Sequence, residues 1–121
     1  MQAMPVSYIK HKGKDILYVD LTESKTEKRS LELLEETKDA YLAATTKLLV
    51  LVNTEGAYVN SVISSKMKEY GKRYFNDRAE KRAFVGITGL KKLILKAYIG
   101  IVGGNIELFN DVEAAKDYLV E

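Results

Sequence analysis

Lys47-Leu48-Leu49-Val50-Leu51-Val52 is a continuous apolar run, rich in branched side chains and too short for a core helix. It reads as a strand covered on both faces, as strands of parallel sheets are. A loop, 53–58, follows; then Val59, Ile63, Met67, Tyr70 and Tyr74 recur at helical spacing. Asn60 is placed to cap a helix running from about Ser61 to Asn76. Strand, loop and amphipathic helix make one β-α unit, and the rest of the chain is read outward from it.

Downstream, Ala83 to Ile87 is a second buried strand and Thr88-Gly89 a short turn. Leu90, Leu93, Ile94, Ala97 and Tyr98 then line one face of a helix that Gly103-Gly104 ends. Asn105 to Phe109 is a last short strand, and Asn110-x-x-Glu113 is a capping box for a final helix through Val112, Ala115, Tyr118 and Leu119. Upstream, Ser7 to His11 and Asp15 to Leu21 are β-rich runs joined at Lys12-Gly13-Lys14, where Gly13 supplies the positive φ of a tight hairpin. Ser24-x-x-Glu27 is another capping box, and Leu31, Leu34, Lys38 and Tyr41 mark a helix ending near Ala44. The order β-β-α-β-α-β-α-β-α predicts an α/β fold: a mostly parallel five-stranded sheet with an antiparallel first strand and right-handed crossovers.

The 121 residues suit one domain, 1–121. Hydrophobic residues at 46% and charged residues at 30% are those of a globular protein. Cysteine is absent, which excludes disulfides, thiolate metal sites and cysteine nucleophiles, and the lone histidine, His11, cannot build a zinc site by itself. No metal and no cofactor are expected. Residues 1–5 carry neither a basic region nor an apolar one, and no apolar run approaches the ~18 residues of a membrane span. The expected location is cytoplasmic. A net charge of +2 gives no reason to expect nucleic-acid binding.

Carboxylates are plentiful, but Glu27, Glu32, Glu35, Glu36 and Asp39 fall mainly on the polar side of the first helix, and no nucleophile-base-acid set stands out. No catalytic residue is expected. Asp20 and Asn53 lie at strand ends, where α/β sheets bind ligands and where turns also form. The second helix and its exit carry Lys66, Lys68, Lys72, Arg73, Arg78, Lys81 and Arg82 against Glu69, Asp77 and Glu80, a basic stretch suited to an acidic partner or an anionic surface. Thr88, Gly89, Lys91 and Lys92 combine a helix start with two lysines and favour an anion.

The strand-loop-helix LLVLVNTEGAYVNSVISSKMKEY, residues 48–70, the strand-turn-helix FVGITGLKKLIL, residues 84–95, and the closing IELFNDVEAAKDYL, residues 106–119, resemble the STAS-like domains related to the sporulation anti-sigma-factor antagonist, in particular their SpoIIAA-like branch. The resemblance implies a superhelix of β-α units with the first strand antiparallel at the sheet edge, and a non-enzymatic module that acts by binding a protein partner. Some branches are compared with lipid-transfer folds. The antagonists open their second helix with Asp-Ser-Ser-Gly, whose second serine a partner kinase phosphorylates. The matching stretch here is Asn60-Ser61-Val62-Ile63, so Ser61 alone can accept phosphate, unless it merely occupies the first helical turn.

Two functions follow as expectations. One is a regulatory, protein-binding module using Asn53, Thr54, Asn60 and Ser61. The other is a binder of a small anionic or lipid-like ligand at the strand-helix turns, through Tyr58, Thr88, Gly89, Lys91 and Lys92. A pocket beside Tyr58, Thr88 and the third helix would favour the second; a closed core under a convex loop would favour the first.

Overall fold

The computed structural model describes residues 4–102 and 105–121, with the side chains at 90, 91, 98 and 100–102 outside the description. Gly103-Gly104, expected to end the third helix, lies outside the described residues. The elements are β1 (Val6–His11), β2 (Lys14–Asp20), α1 (Glu27–Ala43), β3 (Leu48–Asn53), α2 (Ser61–Tyr70) continued by a π-helical turn (Gly71–Phe75), β4 (Ala79–Val85), α3 (Leu90–Val102), β5 (Ile106–Phe109) and α4 (Val112–Val120). Their order is the expected one. The sheet runs β1-β2-β3-β4-β5, with β1 antiparallel to β2 and the other pairs parallel. Lys12 and Gly13, both at positive φ, make the two-residue turn that joins β1 to β2.

Strand alternation divides the core. Leu17, Val19, Val50, Val52 and Phe84 face Tyr41 of α1, Tyr70 of α2, Phe75 and Leu95 of α3. Ile16, Leu51, Ala83 and Val85 face Ala115 and Leu119 of α4. Three helices thus cover one face of the sheet and one covers the other, so the central strands are apolar on both sides.

Several local expectations are corrected. Helix α1 is capped by Thr26, whose side chain accepts from Arg29 N–H, while Ser24 is buried and hydrogen-bonded to Ser30 at 2.5 Å. Its buried stripe is Ser30, Leu33, Thr37 and Tyr41, one residue off the expected face at its first turns. Asp111, not Asn110, caps α4 by accepting from Ala114 N–H at 2.8 Å. The π-helical turn, closed by Asn76 N–H to Gly71 C=O at 3.0 Å, shifts the register of the expected long helix so that Phe75 enters the core and Tyr74 is only half-buried. Strand β4 begins at Ala79 and ends at Val85, earlier at both ends than expected. On α3, Leu95 is buried, whereas Leu93 and Ala97 face solvent. Asn60 caps α2 as expected, accepting from Ile63 N–H at 2.9 Å.

Candidate functional site

The three helices α1 to α3 do not close fully on the sheet. Between them and β2, β3 and β4 lies a cavity of about 110 Å³. Strand alternation supplies its floor: Val19, Val52, Arg82 and Phe84 project to the same side. Helical spacing supplies its roof, with Leu34, Thr37 and Tyr41 from α1, Ile63 and Met67 from α2, and Ile94 and Leu95 from α3. The π-helical turn adds Phe75, which packs against Tyr41 with ring centroids 4.5 Å apart.

The loop 53–60 forms one wall, and its backbone is tied down at several points. Thr54 donates from both N–H and hydroxyl to Val85 C=O, at 2.8 and 2.9 Å. Ala57 N–H reaches Thr54 C=O, Tyr58 N–H reaches Ser24 C=O at 2.8 Å, and the Ser30 hydroxyl donates to Tyr58 C=O at 3.1 Å. Lys25 Nζ–H reaches Gly56 C=O at 2.9 Å. Gly86, at φ +84°, passes so close that a Cβ there would sit 2.7 Å from Glu55 N. Loop residues Thr54, Ala57, Tyr58 and Val59 therefore face the cavity from a fixed frame, with half-exposed Tyr58 where it meets solvent.

Arg82 is the one charged side chain among the described residues that line this cavity, and it is 3% exposed. Its Nη2 donates to Asn76 Oδ1 at 2.8 Å, across the end of the π-helical turn. The cavity thus has an apolar body with the Arg82 side chain in its floor. The sequence groups Arg82 with the basic stretch of the second helix and its exit, whereas the structure buries it. The signal that finds it is the alternation Arg82-Ala83-Phe84-Val85, which becomes visible once β4 is begun at Ala79.

Of the residues expected to hold a ligand, Tyr58 lines the cavity. Thr88, Gly89 and Lys92 are exposed and line no part of it, and the Lys91 side chain lies outside the described residues. Among those expected to meet a partner, Thr54 is buried in the cavity wall. Asn53 accepts from Glu55 N–H at 3.2 Å and donates to Tyr18 Oη at 3.3 Å. Asn60 donates to Glu27 Oε1 at 2.7 Å besides capping α2, and Ser61 is exposed. Asp20 accepts from Thr22 N–H and hydroxyl, closing a turn.

Away from the cavity, Glu35, Lys38, Tyr70 and Lys66 tie α1 to α2. Glu35 accepts hydrogen bonds from Lys38 and Tyr70, which hold its carboxyl below the usual glutamate range, while the same Glu35 contact and burial push the Tyr70 hydroxyl up. At the other end, Asp117 is lowered by hydrogen bonds from His11 and Lys12, joining α4 to the β1–β2 hairpin. No group of three or more His, Cys, Asp or Glu side chains among the described residues is arranged to hold a metal ion, and no helix among them is long and apolar enough to cross a membrane.

No protein-family model and no curated protein matches the chain. Among solved structures it is similar to an uncharacterised protein of the DUF3478 family from Shewanella loihica PV-4, described as having a SpoIIAA-like fold. The two are 14% identical with a TM-score of 0.64, over 94% of this chain and 91% of that one. At that identity the likeness speaks for architecture, and it agrees with the strand order, the antiparallel first strand and the placement of the helices. The chain has the SpoIIAA-like, STAS-like fold.

Proposed function

We propose that this chain is a non-enzymatic SpoIIAA-like binding domain that holds a small, largely apolar ligand between its sheet and helices α1 to α3. The observation that carries this reading is the cavity itself, about 110 Å³ and walled mainly by side chains such as Val52, Ile63, Phe84 and Leu95. Close packing leaves few voids of this size in protein interiors, and an apolar void of about 150 Å³ takes up benzene. Of the places where a ligand pocket was expected, Tyr58 and the third helix, through Ile94 and Leu95, line the cavity, and Thr88 does not. The ligand is held in this cavity and not at the exposed turn Thr88–Lys92.

Thermal unfolding with a panel of short hydrocarbons and alcohols tests the reading. Guests that bind only the folded state raise Tm with concentration. The expected result is a rise in the wild type that Ala57→Leu, which fills the cavity from the loop side, abolishes. A panel that leaves the wild-type Tm unchanged overturns the reading.

A second reading, a regulatory module that binds a protein partner through 53–61, draws on Tyr58 and Val62, which are 44% and 51% exposed on either side of Asn60 and Ser61. If it holds, Val62→Ser abolishes partner binding and leaves guest binding intact.

A further inference from the structure

Helix α3 has two sides. Inward, Ile94 and Leu95 line the cavity; outward, Lys92, Leu93, Lys96 and Ala97 are exposed. Leu93 is 67% exposed, more than any other large apolar side chain described in a helix or strand. The chain from Lys81 to Ile106 contains no Asp or Glu, so nothing on the helix itself offsets its three lysines, at 91, 92 and 96. Lys92 and Lys96 pair with no carboxylate among the described residues. Helix α2, which packs against α3, extends the positive side with its π-helical turn: Lys66, Lys68, Lys72 and Arg73 stand there against Glu69 alone. The balance is reversed elsewhere, with five carboxylates against three bases in α1 and two against one in α4. Positive charge is thus gathered on one side of a chain whose net charge is only +2.

We infer that the outer side of α3, with the adjoining basic surface of α2, docks on an anionic lipid bilayer, Leu93 entering the headgroup layer and Lys92 and Lys96 resting among the phosphates. The occupant follows from charge and residue type. An anionic bilayer attracts each lysine held near it, about fivefold in affinity apiece, and an exposed leucine between them gains by leaving water for the acyl boundary. A protein partner suits this side less well. Protein interfaces are depleted in Lys, and α3 has no Arg to grip a carboxylate with two hydrogen bonds. Lysine, a compact and hydrated point charge, meets a diffuse field of headgroups without needing a fixed partner. Docking does not depend on a ligand in the cavity, though α3 is the helix that would lie on the membrane and also line that cavity from within.

Co-sedimentation of the full chain with lipid vesicles is the test. Vesicles of phosphatidylcholine with about one third phosphatidylglycerol are expected to carry the chain down at low salt and release it as salt rises, whereas phosphatidylcholine alone leaves it in solution. Leu93→Ser is expected to weaken binding about threefold or more, and Lys92→Glu with Lys96→Glu about a hundredfold or more. All three positions are exposed, so the circular dichroism of these variants should match the wild type. Lys10→Glu with Lys14→Glu makes the same change of charge on the hairpin at the opposite edge of the sheet, and is expected to stay within about threefold of wild type. Equal losses in the two double variants would show attraction to net charge and not to this side, and overturn the assignment. So does a chain that ignores anionic vesicles at low salt, whatever acidic protein or nucleic acid it binds. If a double variant does not fold, Leu93→Ser alone decides: binding equal to wild type overturns the docking of α3.

Discussion

Two glycines at positive φ separate local strain from close approach. Gly86 needs its left-handed backbone and also the space of its missing Cβ, because the Glu55 backbone lies against it; at Gly89, φ +56°, nothing lies within 4 Å. Gly86→Ala is therefore expected to cost about 2 kcal/mol or more and Gly89→Ala about 1 kcal/mol, measured by urea unfolding. Equal losses would show that the loop 53–60 is not held against β4 as described. The start of α2 gives a second residue-level prediction. Asn60 caps the helix and bonds Glu27, whereas Ser61 is exposed in the first turn. Asn60→Ala is expected to cost about 1 kcal/mol, and Ser61→Ala less than about 0.5 kcal/mol. The reverse ranking would move the helix start.

At the scale of elements, the α1–α2 contact depends on pH through Glu35 and Tyr70. Glu35 has a lowered pKa in the fold, so its contribution is fully present above the ordinary glutamate range and is lost as pH falls through the depressed value. Tyr70 has a raised one, so its contribution is present below the ordinary tyrosine range and is lost as pH rises through the raised value. The gap in urea midpoint between wild type and Glu35→Gln is therefore expected to be widest near neutrality and to close in acid. A gap independent of pH would contradict this. Elements differ in how far the sequence reveals them. Strand β3 was legible because its apolar run has no competing reading, and the hairpin because Gly13 punctuates it. The face of α1 was not, because Ser30 and Thr37 go inside with their hydroxyls satisfied by Ser24, Tyr58 C=O and Leu33 C=O. Hydropathy has no signal for such a pairing. Helix α3 offers apolar side chains on several sides, so spacing alone could not choose Leu95 over Leu93. The start of β4 was hidden by its charged residues Glu80, Lys81 and Arg82, and Arg82 was misplaced with it.

At the scale of the molecule, three crossovers laid on one face of a twisted sheet leave a gap where their helices diverge, and the loop 53–60 walls it in. The fold could be read from element order; the cavity could not, since it depends on how side chains from six elements and a loop meet. Widening it should cost stability in the usual way: Ile63→Ala is expected to lose about 2–5 kcal/mol, as buried large-to-small changes do. Ala57→Leu is expected to fold with nearly unchanged stability, because its added atoms enter space already empty. The most direct measurement is a crystal structure under xenon pressure, since xenon enters dry apolar cavities without needing any specific contact. The account predicts a xenon atom enclosed by Ile63, Phe84 and Leu95 in the wild type and none in Ala57→Leu. Xenon confined to surface sites, or side chains of α1 to α3 closing the space in the crystal, would contradict it.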